Sequence, residues 1–447
     1  MSKIDLYTNE YLDKMRFKGD PVADAAVADL FDHADPQIFK FLHNLARNND
    51  PISTDLDPIL REYFEQTANL KCTKEEEKIL DECSDFFDIY GFRICGLLFF
   101  KSLPSGYMCQ QPAKVLHETK LLEKEATRRV LETAQMIFDV SERGWYKPEG
   151  KGIRAIQKVR LMHAGMRHMI IKERGWDPNS LKEGVPNGLP INQVDMILTC
   201  QLFSLAILEG LKKMGAPITR RQEDAHFFNW RVVGLMLGID PELMPDTIEE
   251  GWVLQNKIFA RQINENNEFG PHLNDALINV IGDHTSKFIS RDRLKEIEMY
   301  FIDNPKAYSS LGIPKPTLWQ KWTNDIIIHL IQAKDEHKKA DNSLPMKKHG
   351  LIDKIFYFVT KIFGKVSDNV DDFKMDAFEY LCKTILSSLT TKEVPINMPP
   401  LGDGVNVAGS DQSTMAPLTK PMLEADKERE LVAQWQLGGF NFDAAGK

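Results

Sequence analysis

Residues 127–140 read TRRVLETAQMIFDV and residues 158–170 read KVRLMHAGMRHMI. Both carry apolar residues at helical three- and four-residue spacing, and both break that spacing with a polar side chain where an apolar one belongs. In the first, the stripe Leu122, Ala126, Arg129, Thr133, Ile137, Val140 is polar at its centre. A guanidinium on a buried face requires an anionic partner. The alternative is an Arg129 that snorkels to solvent beside a Thr133 bonded back to its own helix. In the second, Ile156, Val159, His163, Met166, Ile170 place a histidine mid-stripe. Ala164 and Gly165 follow it and leave a bare helix surface that a flat macrocycle can approach. Arg160 and Arg167 lie one turn either side, where guanidinium groups meet propionates. Such a histidine is either a haem-iron ligand, which needs a neutral imidazole in an apolar pocket, or a hydrogen-bonded core residue.

Outward from these two helices the same periodicity dominates, and strand-like alternation is hard to find. It predicts helices over 23–33, 36–47, 74–98, 114–140, 153–173, 192–214, 219–237, 249–264, 291–302, 317–337, 351–366 and 371–389. Asp35-Pro36 reads as a cap followed by a first-turn proline. Thr219 and Gln222 form a capping box, and Gly238 ends that helix. Loops fall at 144–152, 175–190 and 303–316, where Gly and Pro gather. The reading is an all-α fold: an N-terminal extension (1–23), a helical domain (24–332), a helical appendage (333–394) and a tail (395–447) rich in Gly, Pro, Ser and Asp.

Composition narrows the classes. An apolar fraction of 43% and a charged fraction of 27% suit a globular core. A net charge of −9 and the lack of a basic run exclude a nucleic-acid partner. The six cysteines form no CxxC pair, which suits neither a zinc site nor a disulfide framework and fits a reducing compartment. The N-terminus has no signal-peptide core, and no segment approaches the roughly 20 apolar residues of a membrane span. The expectation is a cytoplasmic protein. In 351–366, Ile352, Ile355, Phe356, Val359, Ile362, Phe363 and Val366 share one face opposite several lysines. That face either packs on the body or makes a peripheral membrane contact.

The stretch 127–176 resembles the rubber oxygenases (latex clearing proteins) and the related MpaB-type oxygenases. The resemblance rests on TRRVLETAQMIFDV, on the thirty residues from Thr133 to His163, and on KVRLMHAGMRHMI. GDPVADAAVADLF, GLPINQVDMILTCQLFS and FFNWRVVGLMLGI extend it over about 19–240. The resemblance implies a globin-like helical core with additional terminal helices, and haem b as cofactor with its iron on His163. It implies Arg129, Arg160 and Arg167 around the macrocycle and Thr133 in the pocket wall. It also implies dioxygen as oxidant and attack on carbon–carbon double bonds of an isoprenoid or similarly apolar alkene. Two positions depart from the rubber-cleaving pattern. Glu132 stands where those enzymes carry a lysine, and QQPAKVLH offers no match for their upstream acidic residue. Glu132 is then either a substitute base or the ion-pair partner of Arg129 one turn away.

Three other readings remain open on the sequence. A haem peroxidase or monooxygenase would use the same scaffold, and a haem or lipid carrier would hold a ligand without turning it over. Glu223-x-x-His226 is half of a di-iron carboxylate site, for which no second half is found. His168 reads as structural. Tyr107 is either a packed aromatic beside a proline turn or part of a substrate channel.

Overall fold

The computed structural model describes residues 2–33, 58–68, 70–118, 121–148, 150–285 and 290–315. The helices expected over 36–47, 317–337, 351–366 and 371–389, with the tail from 395, lie outside the described residues.

In chain order, a 3-10 turn (Lys3–Leu6) precedes α1 (Asn9–Arg16), α2 (Pro21–His33), α3 (Pro58–Thr67) and α4 (Lys74–Leu97). A π turn (Leu98–Ser102) leads into α5 (Leu103–Tyr107), followed by α6 (Gln110–Glu118), α7 (Leu121–Asp139) and α8 (Lys151–Glu173). A hairpin of two-residue strands, β1 (Leu181–Lys182) and β2 (Val185–Pro186), comes next. Then follow α9 (Gln193–Phe203), α10 (Leu205–Lys213), α11 (Arg220–Met236), α12 (Ile248–Gln262), α13 (Gly270–Thr285), α14 (Arg291–Ile302) and α15 (Ala307–Ser310). The fold is all-α.

Local chemistry accounts for the ends. Thr219 accepts from the Gln222 N–H while Gln222 accepts from the Thr219 N–H at 2.9 Å, the capping box read from the sequence. Thr73 and Glu76 do the same for α4. Pro104 follows the π turn. Its ring crowds the carbonyl of Phe100 and it has no N–H to give, so the helix widens there instead of continuing.

The structure revises several boundaries. The helix expected over 114–140 is described as α6 and α7, with residues 119–120 between them outside the described residues. The helix expected over 192–214 breaks at Ser204, whose φ of −101° and ψ of −83° lie off the helical minimum. Helices α1, α3 and α13 were not expected. Contrary to the sequence reading, Gln193–Lys213 is long and apolar enough to cross a bilayer, but most of it is buried inside the body, where it forms the central α9–α10 pair.

The main core is built around α4, α9, α10 and α11, with Phe86, Phe100, Trp145, Leu205 and Val233 inside it. A second cluster joins α2 and α3 to one face of α8 through Ala23, Val27, Leu30, Tyr63, Phe64, Leu161 and Ala164. Residues 2–23 are packed into this body. Arg16 is buried and donates to Asp195 Oδ1 at 3.0 Å, to the Pro186 carbonyl at 2.6 Å and to the Asn187 carbonyl at 2.7 Å.

Candidate functional site

Helices α7 and α8 meet side by side, and the turn between them is pinned to α11. Trp145 Nε1 donates to Asn229 Oδ1 at 2.9 Å, and Asn229 Nδ2 donates to the Val140 carbonyl at 3.2 Å, with both side chains fully buried. Val130, Ala134 and Ile137 face the core from α7. Arg129, Glu132 and Thr133 lie at the edge of that face, half-buried. Arg129 Nη1 is 3.2 Å from Glu132 Oε2 and 3.5 Å from the sulfur of Met162, the residue before His163. The Thr133 hydroxyl donates to the Arg129 carbonyl at 3.0 Å. Of the two readings of this stripe, the local one describes the geometry: Thr133 bonds back to its helix and Arg129 pairs with Glu132.

On α8, His163 is partly buried, and its Nδ1 is sealed from solvent without a hydrogen-bond partner among the described residues. Burial, reinforced by the charges of Arg167 and Arg129 and opposed by Asp20, lowers its pKa to about 4. The imidazole is therefore neutral at physiological pH. A nitrogen base with no protein claim on one sealed nitrogen is an uncommon thing to bury.

Arg160 and Arg167 flank it, and both already hold carboxylates. Arg160 Nη2 donates to Asp20 Oδ1 at 2.8 Å, its Nε also donates to that carboxylate, and its Nη1 reaches the Met236 carbonyl at 3.2 Å. Arg167 pairs with Asp24 and donates to the carbonyls of Pro190 at 3.0 Å and Ile191 at 2.8 Å. Burial pushes the Asp24 carboxyl up to about 6 against the pull of Arg167. Asp20 precedes Pro21 and caps α2 by accepting from the Ala23 N–H at 3.3 Å. These pairs leave little room. A Cβ on Gly238, whose φ is +87°, would come 2.5 Å from Asp20 Oδ2, and one on Gly19 would come 2.5 Å from Asp24 Oδ2. The propionate role expected of Arg160 and Arg167 thus meets guanidinium groups whose nitrogens are each engaged within the protein. The bare surface expected at Ala164 is also occupied, because Ala164 packs against α2 and α3.

The sequence reading missed Asp20, Asp24 and Met162. The signal for the two carboxylates was physical rather than local: a buried arginine needs an anion, and GDPVAD presents two, one helical turn apart.

The remaining candidates are claimed by the protein. His226 Nε2 lies 3.2 Å from the Phe203 carbonyl, at the α9–α10 break, with Phe86 and Trp230 around the ring. Glu223 accepts from Lys212 at 2.8 Å. No group of three or more His, Cys, Asp or Glu is placed to hold a metal ion among the described residues. His168 stacks on Phe31, with ring centroids 4.3 Å apart. Tyr107 is buried beside the α5 turn, and its carbonyl accepts from Asn267 at 2.7 Å.

Residues 97–291 match the family described as "ER-bound oxygenase mpaB/B'/Rubber oxygenase, catalytic domain". This region is similar to the catalytic domain of the MpaB/rubber oxygenases. It contains Arg129, Glu132, Thr133, Arg160, His163 and Arg167, while Asp20 and Asp24 lie outside it. The chain is 24% identical over 268 residues to a rubber oxygenase of Streptomyces sp. (strain K30), a match that covers 59% of this chain and 63% of that protein. The chain therefore spans less than two thirds of that relative's length. Latex clearing protein in its closed state superposes with a TM-score of 0.64 at 17% identity, covering 86% of this chain and 95% of that one, which establishes a common fold.

Proposed function

We propose that this protein is a haem-b-dependent oxygenase that uses dioxygen on carbon–carbon double bonds of an apolar, isoprenoid or lipid-like substrate. The observation that carries the reading is His163, a neutral imidazole with an unclaimed nitrogen, set where α7 meets α8 inside the region matched to an oxygenase family. The residues fit a haem in two respects. A neutral imidazole is the form that ligates iron, and Arg129, whose ion pair is with Glu132 one turn away on its own helix, is the guanidinium placed to turn toward a propionate. When bound, haem supplies the redox chemistry with dioxygen, which no side chain of this chain provides.

The protein's own contribution is positional. Two buried ion pairs fix α8 against the N-terminal segment and so set the angle at which His163 is presented. The aliphatic residues of α7 and α8 exclude water from the reacting alkene. Glu132, beside Arg129, is the carboxylate we assign to accept a proton from substrate carbon adjacent to the double bond. In this reading the apolar substrate is taken up from a lipid phase.

The test is the visible spectrum of protein purified from haem-sufficient cells beside His163→Ala, with oxygen uptake on apolar alkenes. A Soret band that is lost in the variant, with alkene-dependent uptake in the wild type, is the expected result. A protein that neither carries nor takes up haem overturns the assignment. Bound haem without uptake on any alkene identifies a carrier.

A further inference from the structure

Away from His163, α13 and α14 share a polar contact sealed inside the protein. Glu298 on α14 and Asn274 on α13 both have 0% exposure. Asn274 Nδ2 donates to Glu298 Oε2 at 3.1 Å. The second oxygen of each side chain, Glu298 Oε1 and Asn274 Oδ1, has no donor among the described residues. Two acceptors are thus left over on the same two side chains that are already joined.

An ionised Glu298 would leave both of them unsatisfied and bury a charge as well, which is costly in a site without a matched cation. The nearby cation, Lys295, is 2.7 Å from Asp275 and is committed there. Lys101, on the π turn packed against α14, donates to the Phe301 carbonyl at 2.8 Å and pairs with Glu209 at 2.8 Å. From α5, Tyr107 feels the Glu298 charge and also that of Arg129, and near α15 Asp303 is paired with Lys213. No cation is left over for Glu298 among these groups. A single proton on Oε1 resolves the contact, because it removes the charge and turns one orphaned acceptor into a donor for the other.

We propose that Glu298 is held as a neutral carboxylic acid whose Oε1–H donates to Asn274 Oδ1, closing a two-bond acid–amide ring that latches α13 to α14 and opens when the proton leaves. The proton goes to solvent, and no other bond changes. Helix α13 also packs on α7, which carries Arg129, Glu132 and Thr133, so the latch braces one wall of the candidate site.

Burial pushes the Glu298 carboxyl up to about 8, against the pull of Asn274 and Lys295. Its folded value lies above the unfolded value of about 4.3, so the folded state holds the proton that the unfolded state has released. The stabilisation is full below the unfolded value, declines as pH rises, and is gone above about 8.

Glu298→Gln tests the ring directly. A glutamine amide supplies both a donor and an acceptor at the same positions without a proton, so it retains the ring at every pH. Thermal denaturation from pH 5 to 9 is expected to show the variant gaining on the wild type as pH rises, with the difference levelling off near 8. Infrared spectroscopy is expected to show a protonated-carboxyl stretch in the wild type that titrates away near the same pH and is missing from Glu298→Gln. Should that variant not fold, Asn274→Ala retains the acid without its partner, and the stretch is expected to move to higher frequency. Identical pH dependence in wild type and Glu298→Gln overturns the latch. So does a wild-type spectrum with no protonated carboxyl titrating between pH 7 and 9. Neither readout involves haem, so the outcome is independent of the proposed function.

Discussion

His163 and His226 are alike in most respects that a sequence can display. Each sits on the apolar side of a long helix, and in each case burial lowers the imidazole to about 4. The difference lies in what the rest of the chain does around the ring. His226 Nε2 meets the Phe203 carbonyl, and aromatic rings pack around the imidazole. His163 has a sealed nitrogen with no partner among the described residues, three arginines nearby, and a helix tied down on either side of it by ion pairs. The first is a core residue that has found its hydrogen bond. The second is held in place with its Nδ1 unclaimed among the described residues, and that is the contrast from which a ligand role is argued.

The largest effect is expected where the tie itself is cut. Asp20→Ala strands the Arg160 guanidinium in the interior, and breaking one side of a buried pair costs about 3–5 kcal/mol. Chemical denaturation reads this. Asp224→Ala, which breaks an exposed pair with Arg220, is expected to cost less than about 1 kcal/mol in the same assay. If the two losses are equal, the ion pairs beside His163 do no more than surface pairs, and the contrast with His226 weakens.

Substituting each histidine sharpens the comparison. His226→Leu leaves the Phe203 carbonyl without this donor and is expected to cost about 1–3 kcal/mol. His163→Leu, in haem-free protein, removes a polar group that makes no bond through its sealed nitrogen, so the loss is expected to be under about 1 kcal/mol. Both rings also shape the acid limb. Their folded values, about 4, lie below the ordinary 6.5, so the unfolded chain takes up protons first and stability falls as pH drops from about 6.5 toward 4. Each substitution is expected to flatten that limb, as seen in urea midpoints measured at pH 4.5 and 7. An unchanged limb in either variant means that its ring is charged in the folded protein or exposed.

What the sequence displayed and what it hid divide along the same line. The helices carrying Arg129 and His163, and the capping box at Thr219, depend on residues within a few positions of one another, so periodicity and cap chemistry reveal them. The break at Ser204 does not show, because the residues on both sides are uniformly apolar and only the packed α9–α10 pair requires the bend. Helix α13 was hidden by its start, where Gly270-Pro271 reads as a turn but occupies the first helical turn. In the site, Arg129 and Glu132 were legible as a pair because they are three residues apart. The partners of Arg160 and Arg167 lie 140 and 143 residues away, and nothing local marks them. The family resemblance implies a ligand role for His163, and the structure adds that the two arginines beside it answer first to Asp20 and Asp24.

The smallest expected effect on stability is the one most informative about the site. Arg129 and Glu132 are half-buried neighbours on one helix, and a glutamine at 132 still offers an amide oxygen to the guanidinium, so Glu132→Gln is expected to cost less than about 1 kcal/mol. The same substitution releases Arg129 from its carboxylate, while Asp20 and Asp24 continue to hold Arg160 and Arg167. Arg129 is thus the arginine around His163 whose charge can be redirected without unfolding anything. If that charge serves a propionate, Glu132→Gln retains or tightens haem binding in a titration, yet it slows alkene oxidation by removing the assigned proton acceptor. If Glu132 merely neutralises Arg129, haem affinity and turnover move together. A variant that matches the wild type in stability but separates affinity from rate therefore distinguishes a catalytic carboxylate from a structural one.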